Sequence, residues 1–217
     1  LPGAPYHDGG RITFGPDEKL YITAGDATNE NWAQETDILA GKIMRINANG
    51  TVPEDNPFGN EVYSYGHRNP QGITWVGDQL WATEHGRSGI RSGMDELNKI
   101  EAGENYGWPV IEGDETNEGM ETPEIHSGAD TTWAPAGAAH LDGSIYFAGL
   151  RGNGLYRTEL SGGEVTNFTK HLTGYGRVRE VELGPDGYLY VSTSNTDGRG
   201  SAAENDDKII RVDPSIF

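Results

Sequence analysis

Cysteine is absent from the 217-residue chain, which excludes disulfides and thiolate metal sites. Basic residues are scarce. There are 16 Lys and Arg against 34 Asp and Glu, a formal net charge of -18. A nucleic-acid binder needs a basic footprint, so nucleic-acid partners are excluded, and an anionic membrane surface is disfavoured for the same reason. Lysine is confined to Lys19, Lys42, Lys99, Lys170 and Lys208, so arginine carries most of the positive charge. An acid-rich, lysine-poor surface suits a high-salt medium, where screening removes self-repulsion, and equally suits an ordinary acidic secreted protein. No apolar run approaches the roughly 18 residues that a transmembrane helix needs. No secretory h-region precedes His7, so any signal peptide is expected outside this sequence.

Glycine, by contrast, is abundant: 32 of 217 residues, about twice the average share of roughly 7%. Apolar strand-like runs recur between the glycines, so the excess signals tight turns. The stretch Phe14-Gly-Pro-Asp-Glu-Lys-Leu-Tyr-Ile-Thr-Ala-Gly-Asp26 returns as Leu183-Gly-Pro-Asp-Gly-Tyr-Leu-Tyr-Val-Ser-Thr-Ser-Asn195. Weaker copies run from Val76 to Glu84 and from Leu141 to Gly149. Each is a turn that tolerates positive φ, feeding a short strand of β-branched and aromatic residues. A further strand pattern follows each copy at 42–46, 95–100, 155–160 and 208–212. Four units are therefore expected, near 1–60, 61–127, 128–172 and 173–217. Short strands, glycine-rich turns and a long repeat predict an all-β chain forming one β-propeller domain over 1–217, with a sandwich as runner-up. The acidic runs at 53–57, 112–124 and 197–207 read as solvated loops, and no EF-hand spacing is present.

Three constellations can carry chemistry. His7 stands just before the first strand and Asp26 just after the second, and a hairpin returns to where it began. A carboxylate beside an imidazole fixes its tautomer and raises its basicity, as a general base requires. His7 is otherwise a surface histidine near the terminus. Arg177 and Arg179 share one face of a strand because the side-chain period is two. Arg68 and Asn69 open the second unit at the equivalent place, and Arg151 follows an outgoing strand of the third. Arranged around an axis, these arginines converge and suit a compact, multiply anionic ligand; otherwise they are scattered surface ion pairs. Last, Glu84-His-Gly-Arg87 is a glycine-rich turn whose carbonyls are candidate calcium ligands, with Glu96 and Tyr106 further on.

These motifs occur in a fixed order: His7-Asp-Gly-Gly-Arg11, Gly15-Pro-Asp17, Gly25-Asp26, Gly66-His-Arg-Asn-Pro-Gln-Gly72 and Glu84-His-Gly86. Asp95-Glu-Leu-Asn98, Asn105-Tyr-Gly-Trp-Pro109, Gly149-Leu-Arg151 and Arg177-Val-Arg179 follow. From His7 to about Val212 the chain resembles the glucose/sorbosone dehydrogenase family, and within it the soluble aldose sugar dehydrogenases that use pyrroloquinoline quinone (PQQ). The resemblance implies a six-bladed propeller. With four units counted, the chain is expected to be the C-terminal two-thirds of a family domain, with the leading blades and a quinone-contacting glutamine outside it.

Residue by residue, the resemblance implies that His7 takes the proton from the sugar C1 hydroxyl and that Asp26 orients it. Arg68 and Asn69 contact the quinone, Arg151 stands where the family has lysine or arginine, and Arg177 and Arg179 hold the quinone. The carbonyls of Gly86 and Arg87 match those that bind the quinone's calcium, although many members carry proline at position 87. Glu96 and Tyr106 match a second calcium site. The implied reaction oxidises an aldose to its lactone, with hydride transfer to PQQ and an external electron acceptor. The implied location is periplasmic, cell-surface or secreted. Two other readings stay open: a non-catalytic recognition propeller of the same superfamily, and a calcium-dependent lactonase, which would need carboxylates and asparagines where arginines stand here.

Overall fold

A computed structural model describes residues 1–89 and 92–217. Four antiparallel sheets follow one another in chain order. The first contains β1 (Ile12–Phe14), β2 (Leu20–Ala24), β3 (Lys42–Ile46) and β4 (Val62–Tyr65). The second contains β5 (Pro70–Val76), β6 (Gln79–Glu84), β7 (Glu96–Ile100) and β8 (Ile125–His126). The third contains β9 (Pro135–Leu141), β10 (Ser144–Gly149), β11 (Gly154–Ser161) and β12 (Glu164–His171). The fourth contains β13 (Val178–Leu183), β14 (Leu189–Thr193) and β15 (Ile209–Val212). The first unit extends past the expected boundary at 60. Lys42 pairs with Tyr65 and Ile43 with Ser64, so β4 closes the first sheet.

The sheets do not stack as a sandwich. Each apolar cluster lies between neighbouring sheets, as blades of a propeller require. Tyr21, Ile43, Ile73 and Ile100 join the first to the second. Trp81, Leu97, Phe147 and Tyr156 join the second to the third. Leu155, Val178, Val181 and Val191 join the third to the fourth. The leading strands β5, β9 and β13 pack side by side nearest the axis.

The repeated motif has a physical basis. Asp17 caps its turn through the Lys19 amide (3.2 Å) and accepts from the Tyr21 hydroxyl (3.1 Å) and Arg45 Nε (2.8 Å). Asp186 does the same with the Tyr188 amide (3.3 Å), the Tyr190 hydroxyl (3.0 Å) and Arg211 Nε (2.9 Å). One carboxylate thus ties a turn to the two strands after it. In the third unit the turn is Asp142-Gly143, with φ of 49° and 74°, the two left-handed residues that a type I′ hairpin demands.

Lys42 is fully buried in β3, and its ammonium donates to the carbonyls of Trp32 (2.8 Å), Ala33 (2.9 Å) and Ala40 (2.7 Å). Three carbonyls replace its hydration shell and fold the segment after Asp26, including the 3-10 turn Glu30–Gln34, back over the sheet.

Candidate active site

The loops at one end of the sheets bring His7 and Asp26 together. His7 adopts φ 63°, and its Nδ1 lies 2.8 Å from Asp26 Oδ1. The turn is possible because residue 25 is glycine: a Cβ there would sit 2.0 Å from the His7 carbonyl oxygen. Asp26 is 1% exposed. Its Oδ1 also accepts from the Thr28 amide (2.8 Å) and its Oδ2 from the Trp108 indole N–H (2.9 Å). With Nδ1 engaged by the carboxylate, Nε2 is the ring nitrogen left for a ligand, and His7 lines the main cleft.

Arg68 and Asn69 lie beside this pair, held by buried Glu84. That carboxylate accepts from the backbone amides of both residues and from His67 Nδ1 (2.8 Å). His67 is fully buried, bonds Ser64 through Nε2 (2.8 Å) and stacks on Tyr106. The Arg68 guanidinium donates to the His85 carbonyl (3.3 Å) and Ser88 Oγ (3.0 Å) and sits 5.2 Å from the Trp108 ring centre. Burial pushes it below the ordinary arginine value, against the pull of Asp26, Glu84, Asp95 and Glu112. The Asn69 side-chain oxygen accepts from the Gly9 amide (3.0 Å), fastening the His7 turn to the second unit.

Arg177 and Arg179 approach from the fourth unit, and both reach Asp197 Oδ2, at 2.9 Å and 3.4 Å. Asp197 therefore belongs to the site, and the reading of 197–207 as a purely solvated run is corrected. Asp206 and Asp207 likewise hold Asn195, whose Oδ1 accepts from the Arg177 amide (2.8 Å). A cleft of about 610 Å³ is lined by His7, Asn69, His85, Arg177, Arg179 and Arg199. Arg151 stands in an adjoining cleft of about 410 Å³, exposed and bonded to Ser92 Oγ (2.9 Å). Arg177 and Arg199 border both spaces.

This site fits a compact, multiply anionic cofactor. Arginines line the cleft, and two buried nitrogens, His85 Nε2 of a cleft-lining residue and Arg68 Nε of a residue lining the smaller space that shares His7 and Ser88 with it, have no hydrogen-bond partner among the described residues. The candidate calcium ligands divide into two places. Gly86 is fixed by Asp95, which accepts its amide at 3.0 Å, and the Arg87 carbonyl accepts from the Gly93 amide at 3.2 Å. Glu96 and Tyr106 line a separate small cavity with Glu84 and Glu112. Burial and the neighbouring Glu84 push Glu96 up to about 8, while Asn98 and Gly113 donate to it. The Tyr106 hydroxyl is already engaged by the Lys99 carbonyl (2.6 Å) and the Glu101 amide (2.8 Å), so only its backbone oxygen remains for a cation. Among the described residues, no three His, Asp or Glu side chains converge as a metal site.

The sequence pattern did not single out Trp108, Glu84 as a hub, or Arg199. Each lies in a quoted motif or acidic loop, but what it touches lies far away in sequence, on a neighbouring strand for Glu84 and in another unit for Trp108.

The sequence profile of the Glucose / Sorbosone dehydrogenase family matches residues 2–210. An uncharacterized Synechocystis protein is 37% identical over 89% of this chain and 55% of its own length. Aldose sugar dehydrogenase YliI of Escherichia coli is 34% identical over 88% of this chain and 58% of its own. The chain thus spans a little over half the length of these relatives. The structure of the PQQ-bound aldose sugar dehydrogenase from Streptomyces coelicolor superposes with a TM-score of 0.90 at 42% identity, covering 97% of this chain and 63% of that one. The apo aldose sugar dehydrogenase of E. coli gives 0.85 at 32% identity, covering 98% and 65%.

Proposed function

The chain belongs to the glucose/sorbosone dehydrogenase family, and from that premise we propose that it serves PQQ-dependent oxidation of an aldose at C1 to the lactone. The observation that carries the reading is an imidazole–carboxylate pair, His7 and Asp26 at 2.8 Å, on the edge of an arginine-lined cleft. His7 Nε2 takes the proton of the C1 hydroxyl. Asp26 Oδ1 holds Nδ1–H, fixing the tautomer that leaves Nε2 unprotonated, and steadies the imidazolium that forms. Arg177 and Arg179 bind the cofactor's carboxylates, and Asn69 keeps the His7 turn against them. Arg68, buried and donating to neutral acceptors, the His85 carbonyl and Ser88 Oγ, faces developing negative charge in a site of low dielectric. PQQ, when bound, supplies the hydride acceptor that no side chain provides. The Gly86 and Arg87 carbonyls would hold a calcium ion, which would supply a Lewis acid, and Glu96 with the Tyr106 carbonyl would hold a second.

The substrate is an aldose, and an external acceptor removes the electrons. No helix among the described residues is long and apolar enough to cross a membrane. The working location is outside the cytoplasm, where this cofactor class is used. The test is a PQQ titration with and without calcium, reading reduction of an artificial acceptor by glucose and other aldoses. Turnover that needs both additions supports the reading. Tight PQQ binding without turnover on any aldose overturns the substrate class, and absence of PQQ binding overturns the whole and favours a recognition propeller.

A further inference from the structure

We propose that Trp108 is the positioning residue that sets the base pair and the arginine together, through its indole N–H on Asp26 Oδ2 and its ring face against Arg68. The inference rests on the dehydrogenase reading and deepens it. Asp26 Oδ1 serves His7 Nδ1 and the Thr28 amide, both at 2.8 Å. A carboxylate free at its other oxygen could swing away from the imidazole. The Trp108 N–H, 2.9 Å from Oδ2, prevents that rotation. The same indole lies 5.2 Å from the Arg68 guanidinium, a cation–π distance. One side chain therefore contacts both the carboxylate of the base pair and the buried arginine.

Trp108 is itself firmly held. It comes from the long loop of the second unit, yet its anchors lie in the first. Its amide donates to the Gly66 carbonyl (2.9 Å), and its carbonyl accepts from Gln34 Nε2 (2.6 Å). Gln34 and Asn105 exchange two amide hydrogen bonds, at 3.0 Å and 2.8 Å. The indole thus reaches Asp26 from a clamp between two units. A neutral donor on Oδ2 also shares the carboxylate's charge, so the indole acts on the His7–Asp26 hydrogen bond as well as on its geometry.

Other charged groups also face His7. Asp8 is on its own segment, and Arg177, Arg179, Asp197 and Arg199 face it from the fourth unit across the cleft. His85 lines the same cleft, and Arg68, Arg87 and Glu30 border the smaller space on the other side of the ring. Of these, Arg68 stands at a cation–π distance from Trp108. Trp108→Phe keeps a ring for Arg68 while deleting the N–H, whereas Trp108→Ala removes both.

The experiment follows the His7 ring nitrogens by NMR titration in the cofactor-free protein, for wild type and Trp108→Phe. We expect the His7 midpoint to be higher in Trp108→Phe than in wild type, since a carboxylate stripped of a donor holds the neighbouring proton harder. In the wild type, the indole N–H resonance that is absent from the variant should shift with the same midpoint as His7. That second readout stands even where the variant folds poorly, because the indole of the wild type can be assigned directly. In active enzyme, kcat should fall roughly ten-fold in Trp108→Phe and further in Trp108→Ala, with KM changed less. A His7 midpoint that is unmoved or lowered in a folded variant, or an indole resonance indifferent to His7 protonation, overturns the proposal. The NMR arms need no cofactor. They can fail while the dehydrogenase reading stands, and turnover can fail without touching them.

Discussion

At the scale of single residues, the site is a set of side chains held by their second contacts. His7 has an oriented proton site because Asp26 is itself fixed by Thr28 and Trp108. His7→Ala should lower turnover roughly 100-fold or more while PQQ binding survives, since the arginines and not the base hold the cofactor. Near-normal turnover with unaltered PQQ binding would remove His7 from the mechanism. Gly25 is the other single-residue dependence. A methyl at that position would press on the His7 carbonyl at 2.0 Å. Gly25→Ala should cost roughly 1–3 kcal/mol in a denaturant titration and lower turnover as well, because the His7 turn must move.

At the scale of elements, the third sheet carries its own pH sensitivity. His140 in β9 and His171 at the end of β12 are both held below the ordinary histidine value by burial, His171 also by Arg157. A histidine with a depressed folded value binds fewer protons folded than unfolded. Its contribution to stability is therefore complete above the unfolded value of about 6.5 and is lost as pH falls below it. Thermal unfolding followed by circular dichroism should show Tm falling as pH drops from 7 to 5. His140→Gln with His171→Gln should flatten that slope. An unchanged slope in the double variant would assign the acid sensitivity to other groups. The same sheet shows how much of an element was legible beforehand. Asp142-Gly143 and the aromatic run after it announced the hairpin, because a type I′ turn needs two residues at positive φ. The end of the first sheet was less legible. β4 is a four-residue strand set off from β3 by the long loop 47–61, and pairing with β3 is what adds it.

At the scale of the whole molecule, the charge is distributed against its own average. A chain of net charge -18 brings Arg68, Arg177, Arg179 and Arg199 to one end, and Arg151 beside them. Elsewhere acidic residues dominate and repel one another, so added salt should raise stability by screening them. Tm measured by circular dichroism should increase between about 0.05 and 1 M NaCl, and a flat or falling Tm would show that specific ion pairs outweigh the net repulsion.

The sequence by itself determined the periodic part of this protein: four units of short strands, the carboxylate-capped turn that recurs at Asp17 and Asp186, and the ordered motifs of its family. These depend on local backbone preference and on residues a few positions apart, which a linear pattern records. Only the tertiary structure decided which side chains meet. Asp197 joined the arginines, Glu84 became the support of Arg68 and Asn69, and Trp108 reached Asp26 across 82 positions of sequence. The first two lie within one unit, where a loop or a paired strand returns a distant side chain to the arginines, and the third crosses from the second unit to the first. A linear pattern records none of them, because each is set by how loops fold over strand ends in three dimensions.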